Sequence, residues 1–449
     1  MVDLVIALNL FFATVFLTIK EPKIKLKNRD VSLDQAKSSI FVLILLIVTG
    51  VVPLTLIRTS LMRQLNIVPW QILVIFFGSA YICTSLDASG LLKVIAYKFL
   101  MLSKGSGRKL FFNTLLLAGI MTIFTSNDIV TLTLTPIIVY MSQYSGIDPV
   151  PMLITVFFTS NTWSMFFYIG NPTNVIVAQA YSLGFFDYAK LMFIPTLAAI
   201  AASIVGFYLQ YRKRIPDRVE IKLQLDVQKV IKDKLYAWLS GLTFCAFFVT
   251  VSIGDFINLP LWKAVVLYCA VYFVLNFVFS SKMSNKEQSG IDMSPDLSFF
   301  MDVFKKVPWK ILPMIITFFI FIQIFSMYGI TNLVARVFTF KNDLLAIVFT
   351  TYVTAFAANI MINQPMTIFF AHVLWQKPIT YAMSLVIGSN IGGNITLMGA
   401  LAGMMWSRIL KNYGIEMNNL KFFKNTFPVA LLTLLASSLG VALTQMFLK

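Results

Sequence analysis

Four polar runs interrupt otherwise apolar stretches of this sequence, and their residue types are those that bind small ions: Thr125-Ser126-Asn127-Asp128, Gly170-Asn171-Pro172-Thr173-Asn174, Asn359-Ile360-Met361-Ile362-Asn363-Gln364-Pro365 and Gly388-Ser389-Asn390-Ile391-Gly392-Gly393-Asn394-Ile395-Thr396. Asparagine, threonine and serine supply neutral oxygens and donors, while glycine and proline allow sharp turns. Without fixed charge, a ligand can be bound and still released. The candidate ligand set is Ser126, Asn127, Asp128, Asn161, Asn171, Thr173, Asn174, Asn363, Gln364, Ser389, Asn390, Asn394 and Thr396. Asp128 stands apart because it ionises. A buried carboxylate is costly unless paired with a cation or protonated, which makes Asp128 the residue best suited to link a proton or cation to a second ligand. The same side chain can also cap a half-helix that follows it, where the dipole favours negative charge.

Other reactive side chains offer less. The one histidine, His372, lies in Phe370-Ala371-His372-Val373-Leu374 and reads as a packed imidazole rather than a proton relay. Trp163 and Met165, near the second polar run, read as ordinary packing. Cys83, Cys245 and Cys269 fall in apolar windows without metal-ligand spacing. No nucleophile and base pair stands out, so an enzyme, a resident metal and a cofactor are not expected. The absence of a GxxxxGK[ST] run disfavours ATP-driven chemistry.

The elements that position the polar runs must be membrane helices. Of 449 residues, 58% are hydrophobic and 12% charged, with a mean hydropathy of +0.81. A soluble chain does not have this balance. Windows such as 41–56 and 428–447 are apolar over the ~17–25 residues that a helix needs to cross a bilayer. Residues 1–19 lack a basic leader and a small-residue cleavage site, so they are expected to stay as a helix. The net charge of +17 gathers in short loops, a positive-inside pattern that points to lipid rather than nucleic acid. Five such loops should share the cytoplasmic face: Lys20, Lys23, Lys25, Lys27, Arg29 and Lys37; Lys104, Arg108 and Lys109; Arg212, Lys213, Arg214, Arg218, Lys222, Lys229, Lys232 and Lys234; Lys282, Lys286, Lys305, Lys306 and Lys310; and Arg408, Lys411, Lys421 and Lys424.

Simple spans cannot keep all five loops on one side. The segments 110–124 and 129–142, each shorter than a span, read as a re-entrant hairpin from the cytoplasm around the first polar run. The segments 343–358 and 366–376 form a second hairpin around the third run, and the charge rule makes it enter from outside. An all-α polytopic fold follows, with about ten to eleven crossings and two opposed hairpins.

Landmarks recur in order. Gly90-Leu91-Leu92-Lys93-Val94-Ile95-Ala96 resembles Gly329-Ile330-Thr331-Asn332-Leu333-Val334-Ala335, and each looks like a short interfacial helix ahead of a hairpin. The second and fourth polar runs then correspond, as do the segments 184–195 and 414–428. Two inverted repeats are expected. The boundaries are 1–39 for an N-terminal helix and basic loop, 40–211 for the first repeat, 212–234 for a cytoplasmic linker and 235–449 for the second repeat; residues 281–302 read as a cytoplasmic loop. Unpaired backbone costs several kcal/mol in hydrocarbon, so four breaks at membrane depth mark a polar site.

The four runs, with Thr133-Leu134-Thr135-Pro136-Ile137 after the first and Leu397-Met398-Gly399-Ala400-Leu401-Ala402 after the last, resemble the bacterial arsenite permease family. That family sits in the ion transporter superfamily with citrate and dicarboxylate carriers and one type of sodium/proton antiporter. The resemblance runs from about residue 40 to the C-terminus and implies a homodimer in the inner membrane, with a scaffold holding a mobile transport domain that moves as an elevator. Dicarboxylate carriers of this divalent anion:sodium symporter type bind carboxylate and sodium through Ser-Asn-Thr at each tip. Here the tips read Ser126-Asn127-Asp128 and Ile362-Asn363-Gln364-Pro365, the second also departing from the Asn-Asn-x-Pro usual in arsenite permeases. A proton-coupled carrier of arsenite, antimonite or a related small oxyanion, with Asp128 cycling its proton, is therefore the leading expectation. The alternatives are a sodium-coupled citrate or dicarboxylate carrier, with a sodium site at Asn127, Asn171, Asn363 and Asn394, or a sodium/proton antiporter. A non-transporting scaffold has no need of paired polar breaks.

Overall fold

The structure is a computed structural model and describes residues 2–26, 29–220, 230–231, 233–287 and 298–448. Lys27, Lys222, Lys229 and Lys232 of the basic loops, and residues 288–297 of the fourth loop, lie outside the described residues. Among those described, α1 (Val2–Lys20) leads into an antiparallel ribbon, β1 (Lys23–Leu26) with β2 (Arg29–Ser32), which pairs Lys23 with Ser32 and Leu26 with Arg29. The ribbon lies inside the first basic loop, where Lys23-Ile24-Lys25-Leu26 alternates with the period of a strand. All other regular structure described is helical.

Then come α2 (Gln35–Val48), α3 (Leu54–Met62), α4 (Pro69–Ala88), α5 (Leu91–Met101), α6 (Gly107–Phe124), α7 (Asn127–Ser145), α8 (Val150–Trp163), α9 (Pro172–Ala180) and α10 (Phe185–Tyr211). The remainder holds α11 (Lys234–Ile253), α12 (Leu261–Glu287), α13 (Ser298–Lys306), α14 (Leu312–Met327), α15 (Ile330–Ala335), α16 (Asp343–Met361), α17 (Asn363–Leu374), α18 (Ile379–Gly392), α19 (Leu401–Asn412) and α20 (Asn419–Leu448). Nine helical runs among the described residues are long and apolar enough to cross a membrane. Two of these, α6 and α16, are first arms of the hairpins. The other seven, with the shorter apolar α2 and the interrupted pairs α8–α9 and α18–α19, make ten crossings.

The hairpin arms are longer than the sequence suggests. α6 has 18 residues and α16 has 19, because Ser106 and Asn342 cap them early, accepting from the backbone amides of Lys109 and Leu345. Their length alone would allow a span. What makes them arms is the abrupt link to the next helix: residues 125 and 126 join α6 to α7, and Ile362 alone joins α16 to α17.

The order α4 to α10 recurs as α14 to α20. Both α5 and α15 open on a left-handed glycine, Gly90 at φ 79° and Gly329 at φ 72°, a conformation glycine adopts without steric cost. The closing helices α10 and α20 carry an internal proline each, Pro195 and Pro428. They pack antiparallel through glycines: a Cβ on Gly440 would lie 2.8 Å from Cα of Pro195, and one on Gly206 would lie 3.0 Å from Val429. Small residues let helices approach where no hydrophobic drive acts between them.

On the other flank, α4 is fastened to α11 and α12 by a buried polar knot. The Asn276 amide donates to Tyr81 Oη and Ser85 Oγ, each at 2.9 Å, and its oxygen accepts from Tyr236 Oη at 2.6 Å. Such cross-helix bonds hold a membrane bundle in register.

Candidate functional site

The two interrupted helices meet through their carboxamides. Asn171 caps α9, its Oδ1 accepting from the Thr173 amide at 3.2 Å, as expected for an asparagine placed just ahead of Pro172. The Asn171 Nδ2 donates to Asn390 Oδ1 at 2.9 Å, and Ser164 Oγ donates to the same oxygen at 2.9 Å. Asn390 Nδ2 donates in turn to Asn174 Oδ1 at 2.7 Å. Ser389 Oγ donates to Thr173 Oγ1 at 3.2 Å. Thus Asn171, Thr173, Asn174, Ser389 and Asn390 form one buried lattice between α9 and the end of α18.

A second chain of amides ties the first hairpin to the same helices. Asn127 Nδ2 donates to Asn161 Oδ1 at 2.8 Å, and Asn161 Nδ2 donates to Asn394 Oδ1 at 3.0 Å. Hairpin tip, α8 and the second interruption are therefore linked through three buried side chains. At the other tip, the Asn363 amide donates to the Gly399 carbonyl at 3.0 Å. Asn359 Oδ1 accepts from both the amide and the hydroxyl of Thr396, at 3.0 and 2.7 Å, while its Nδ2 donates to the Gly392 carbonyl at 3.0 Å. Asn359 is absent from the expected site residues although it lies in the third polar run. Its helical position hid it, since only the fold brings it to Thr396.

The hairpins cross over to the opposite interrupted helix. Trp406 on α19 donates its indole N–H to Thr135 Oγ1 on α7 at 3.0 Å, and Tyr181, just after α9, donates its hydroxyl to the Leu374 carbonyl on α17. Each hairpin is thus held by the other half of the chain.

The fourth break lies later than expected. Gly388, Ser389, Asn390 and Gly392 are helical in α18, and the irregular backbone runs through residues 393–400. The reason is packing. A Cβ on Gly388 would lie 1.9 Å from Thr354 Oγ1, and one on Gly392 would lie 2.6 Å from Ala355 Cα, so these glycines admit α16 rather than interrupt α18. The second break likewise occupies residues 164–171, with a 3-10 turn at Tyr168–Gly170.

Some oxygens have no partner. Asn363 Oδ1 and Gln364 Oε1 are buried at the N-terminus of α17 and have no hydrogen-bond partner among the described residues. A buried acceptor of this kind calls for a missing partner. Asp128 sits in the first turn of α7 and carries no ion pair among the described residues. It lines a cavity of about 60 Å³ shared with Ser126, Ser79, Thr84, Pro172 and Lys306. His372 is buried in α17 with Nδ1 2.8 Å from the Ile368 carbonyl. Trp163 is buried with its ring over Gly119, where a Cβ would lie 2.1 Å from it, and Met165 is buried as well.

A family model described as Citrate transporter matches residues 14–376. Among curated relatives, an arsenical pump membrane protein of Escherichia coli (strain K12) is 27% identical over 453 residues, spanning 97% of this chain and 98% of that protein. An arsenical pump membrane protein of Yersinia enterocolitica is 28% identical over 400 residues, spanning 84% and 88%. Among solved structures, the Alcanivorax borkumensis YdaH transporter superposes with a TM-score of 0.58 at 14% identity, covering 99% of this chain and 98% of that one; the likeness is one of fold.

Proposed function

Since the chain belongs to the citrate transporter family, and so is a multi-pass transporter of the bacterial inner membrane, we propose that it is a proton-coupled secondary carrier of a small oxyanion or its neutral hydroxide, of the arsenite and antimonite class. The observation that carries this reading is Asp128: a carboxylate with no ion pair among the described residues, at a hairpin tip, lining a cavity of about 60 Å³ near a network of uncharged amides. Protonation and release at Asp128 would alternate the charge of the site, while the amides hold solute without fixed charge. The names of the relatives agree with this solute class.

The motion is proposed to be an elevator in which hairpins and interrupted helices move together against α4, α11 and α12. The cross-bonding of each hairpin to the opposite interrupted helix supports a single moving body. Antiparallel packing of α10 on α20 supports two repeats, 40–211 and 235–449, of inverted topology. Assembly as a homodimer belongs to the same proposal and is tested by the mass of the solubilised particle.

A second reading has its own observation. Asn363 Oδ1 and Gln364 Oε1 are neutral oxygens without partners, the ligand type sodium takes, which favours a sodium-coupled citrate or dicarboxylate carrier. Proteoliposomes decide between the two. With arsenite, antimonite and citrate offered under separate pH and sodium gradients, the first reading expects arsenite or antimonite flux that follows the pH gradient and ignores sodium. Citrate flux that requires sodium would replace it with the second.

A further inference from the structure

Two cavities lie end to end along the seam between α4 and α9. One holds Asp128, with Ser79 and Thr84 from α4 and Pro172 from α9. The other, of about 300 Å³, is lined by Gln71 from nearer the start of α4, Gln179 from near the end of α9, and Asp255. The helices run in opposite senses here: the first cavity is lined by α4 from Ile72 to Thr84 with Pro172 and Val175 of α9, and the second by Gln71 and Ile75 of α4 with Val175, Ala178 and Gln179 of α9. By loop charge, the first end is cytoplasmic and the second is external. Among the lining residues, only Ile75 and Val175 are shared.

Both shared residues are buried, at 4% and 5% exposure, and both are β-branched, which leaves them few rotamers. The 3-10 turn after α8 crosses at the same depth, with Ile169 lining the first cavity and Tyr168 the second. The external cavity is built polar. Gln179 accepts from the Val68 amide at 3.1 Å and donates to Gln71 at 3.2 Å, and Asp255 accepts from the Phe185 amide at 2.6 Å. Water can fill either compartment, while the side chains at the contact, Ile75 and Val175, offer it no hydrogen bond.

We propose that Ile75 and Val175 form an apolar barrier that divides one solute path along the α4–α9 seam into a cytoplasmic chamber containing Asp128 and an external vestibule lined by Gln71, Gln179 and Asp255. A dry constriction blocks ions because none of its groups replaces their hydration. The α4 side of the seam is held by the Asn276 knot to α11 and α12, so the α9 side is the one that moves. The proposal rests on the transport reading above, and its test reads compartments rather than flux.

In a chain with Cys83, Cys245 and Cys269 replaced by alanine, Ser79→Cys and Gln71→Cys are introduced separately and exposed to a membrane-impermeant maleimide in right-side-out and inside-out vesicles. Gln71→Cys should react from the external face and Ser79→Cys from the cytoplasmic face. Adding Val175→Thr, which keeps the volume and supplies a hydroxyl, should let Ser79→Cys react from outside about tenfold faster, as a wetted barrier requires. Ile75→Ser should do the same, with thermal melting to show that each variant is folded. Reaction of both cysteines from one face in the parent, or unchanged external reaction at Ser79→Cys in both folded barrier variants, overturns the proposal. Solute flux measured on the parent is independent: its absence with opposite sidedness intact removes the transport reading and leaves the barrier standing.

Discussion

Asp128 and Ile362 occupy the two hairpin tips and differ in what they contribute. Asp128 supplies an ionisable group with no ion pair among the described residues, and its neutral isostere separates chemistry from packing. Asp128→Asn should leave the purified protein folded while the pH dependence of solute binding collapses by the about 5- to 150-fold that a coupling energy of about 1–3 kcal/mol represents. Binding titrations across pH check this, and an unchanged pH profile would take Asp128 out of the mechanism. Ile362 is a β-branched residue at φ 67° and ψ 146°, a region other side chains avoid, and it is buried at 1% exposure. Relief of about 1–3 kcal/mol of strain is smaller than the about 2–5 kcal/mol lost with a buried isoleucine side chain, so Ile362→Gly should lower the thermal midpoint of the solubilised protein. A raised midpoint would mean that the strain outweighs the side chain's packing. The candidate residues were legible in the sequence because polar types are rare in apolar windows. Their pairing was not, since Asn127, Asn161 and Asn394 are joined across more than two hundred positions.

At the scale of elements, close approach of backbones decides which polar residues meet. Gly392 lies against backbone atoms of Ala355, which cannot swing aside as a side chain can. Gly392→Ala should destabilise the protein by about 1–3 kcal/mol, read as a lower thermal midpoint, by forcing α18 off α16 and with it the Asn359 bond to the Gly392 carbonyl. A midpoint equal to that of the parent would show that the contact is loose. Asn390 bonds α18 to Ser164, Asn171 and Asn174 at once. Asn390→Ala should leave these groups unsatisfied at about 1–3 kcal/mol for a buried partner, and hydrogen exchange should rise in both α9 and the end of α18. Exchange confined to α18 would show that the lattice does not couple the two helices. The salt bridge of Arg108 with Asp217 at 3.1 Å is exposed and adds little.

For the molecule as a whole, opposed hairpins are the feature on which the proposed elevator depends. Cysteines placed as Ser126→Cys and Gln364→Cys should be labelled from opposite faces by an impermeant reagent in oriented vesicles, and labelling from one face in every condition would end the inverted arrangement. By itself, the sequence determined the solvent, the two hairpins and the existence of four helix breaks, because each is a local matter of hydropathy and backbone chemistry. It misplaced the fourth break for a reason that is not local: Gly388 and Gly392 read as breakers until α16 is seen lying in the groove they leave. Only the tertiary structure decided which amides share a bond, which cavity Asp128 faces, and that α4 is fastened on one side and cavity-lined on the other. Those properties belong to pairs of helices distant in the chain. The physical reason is that hydrocarbon supplies no partner for a buried amide, so each one must find its own across the bundle.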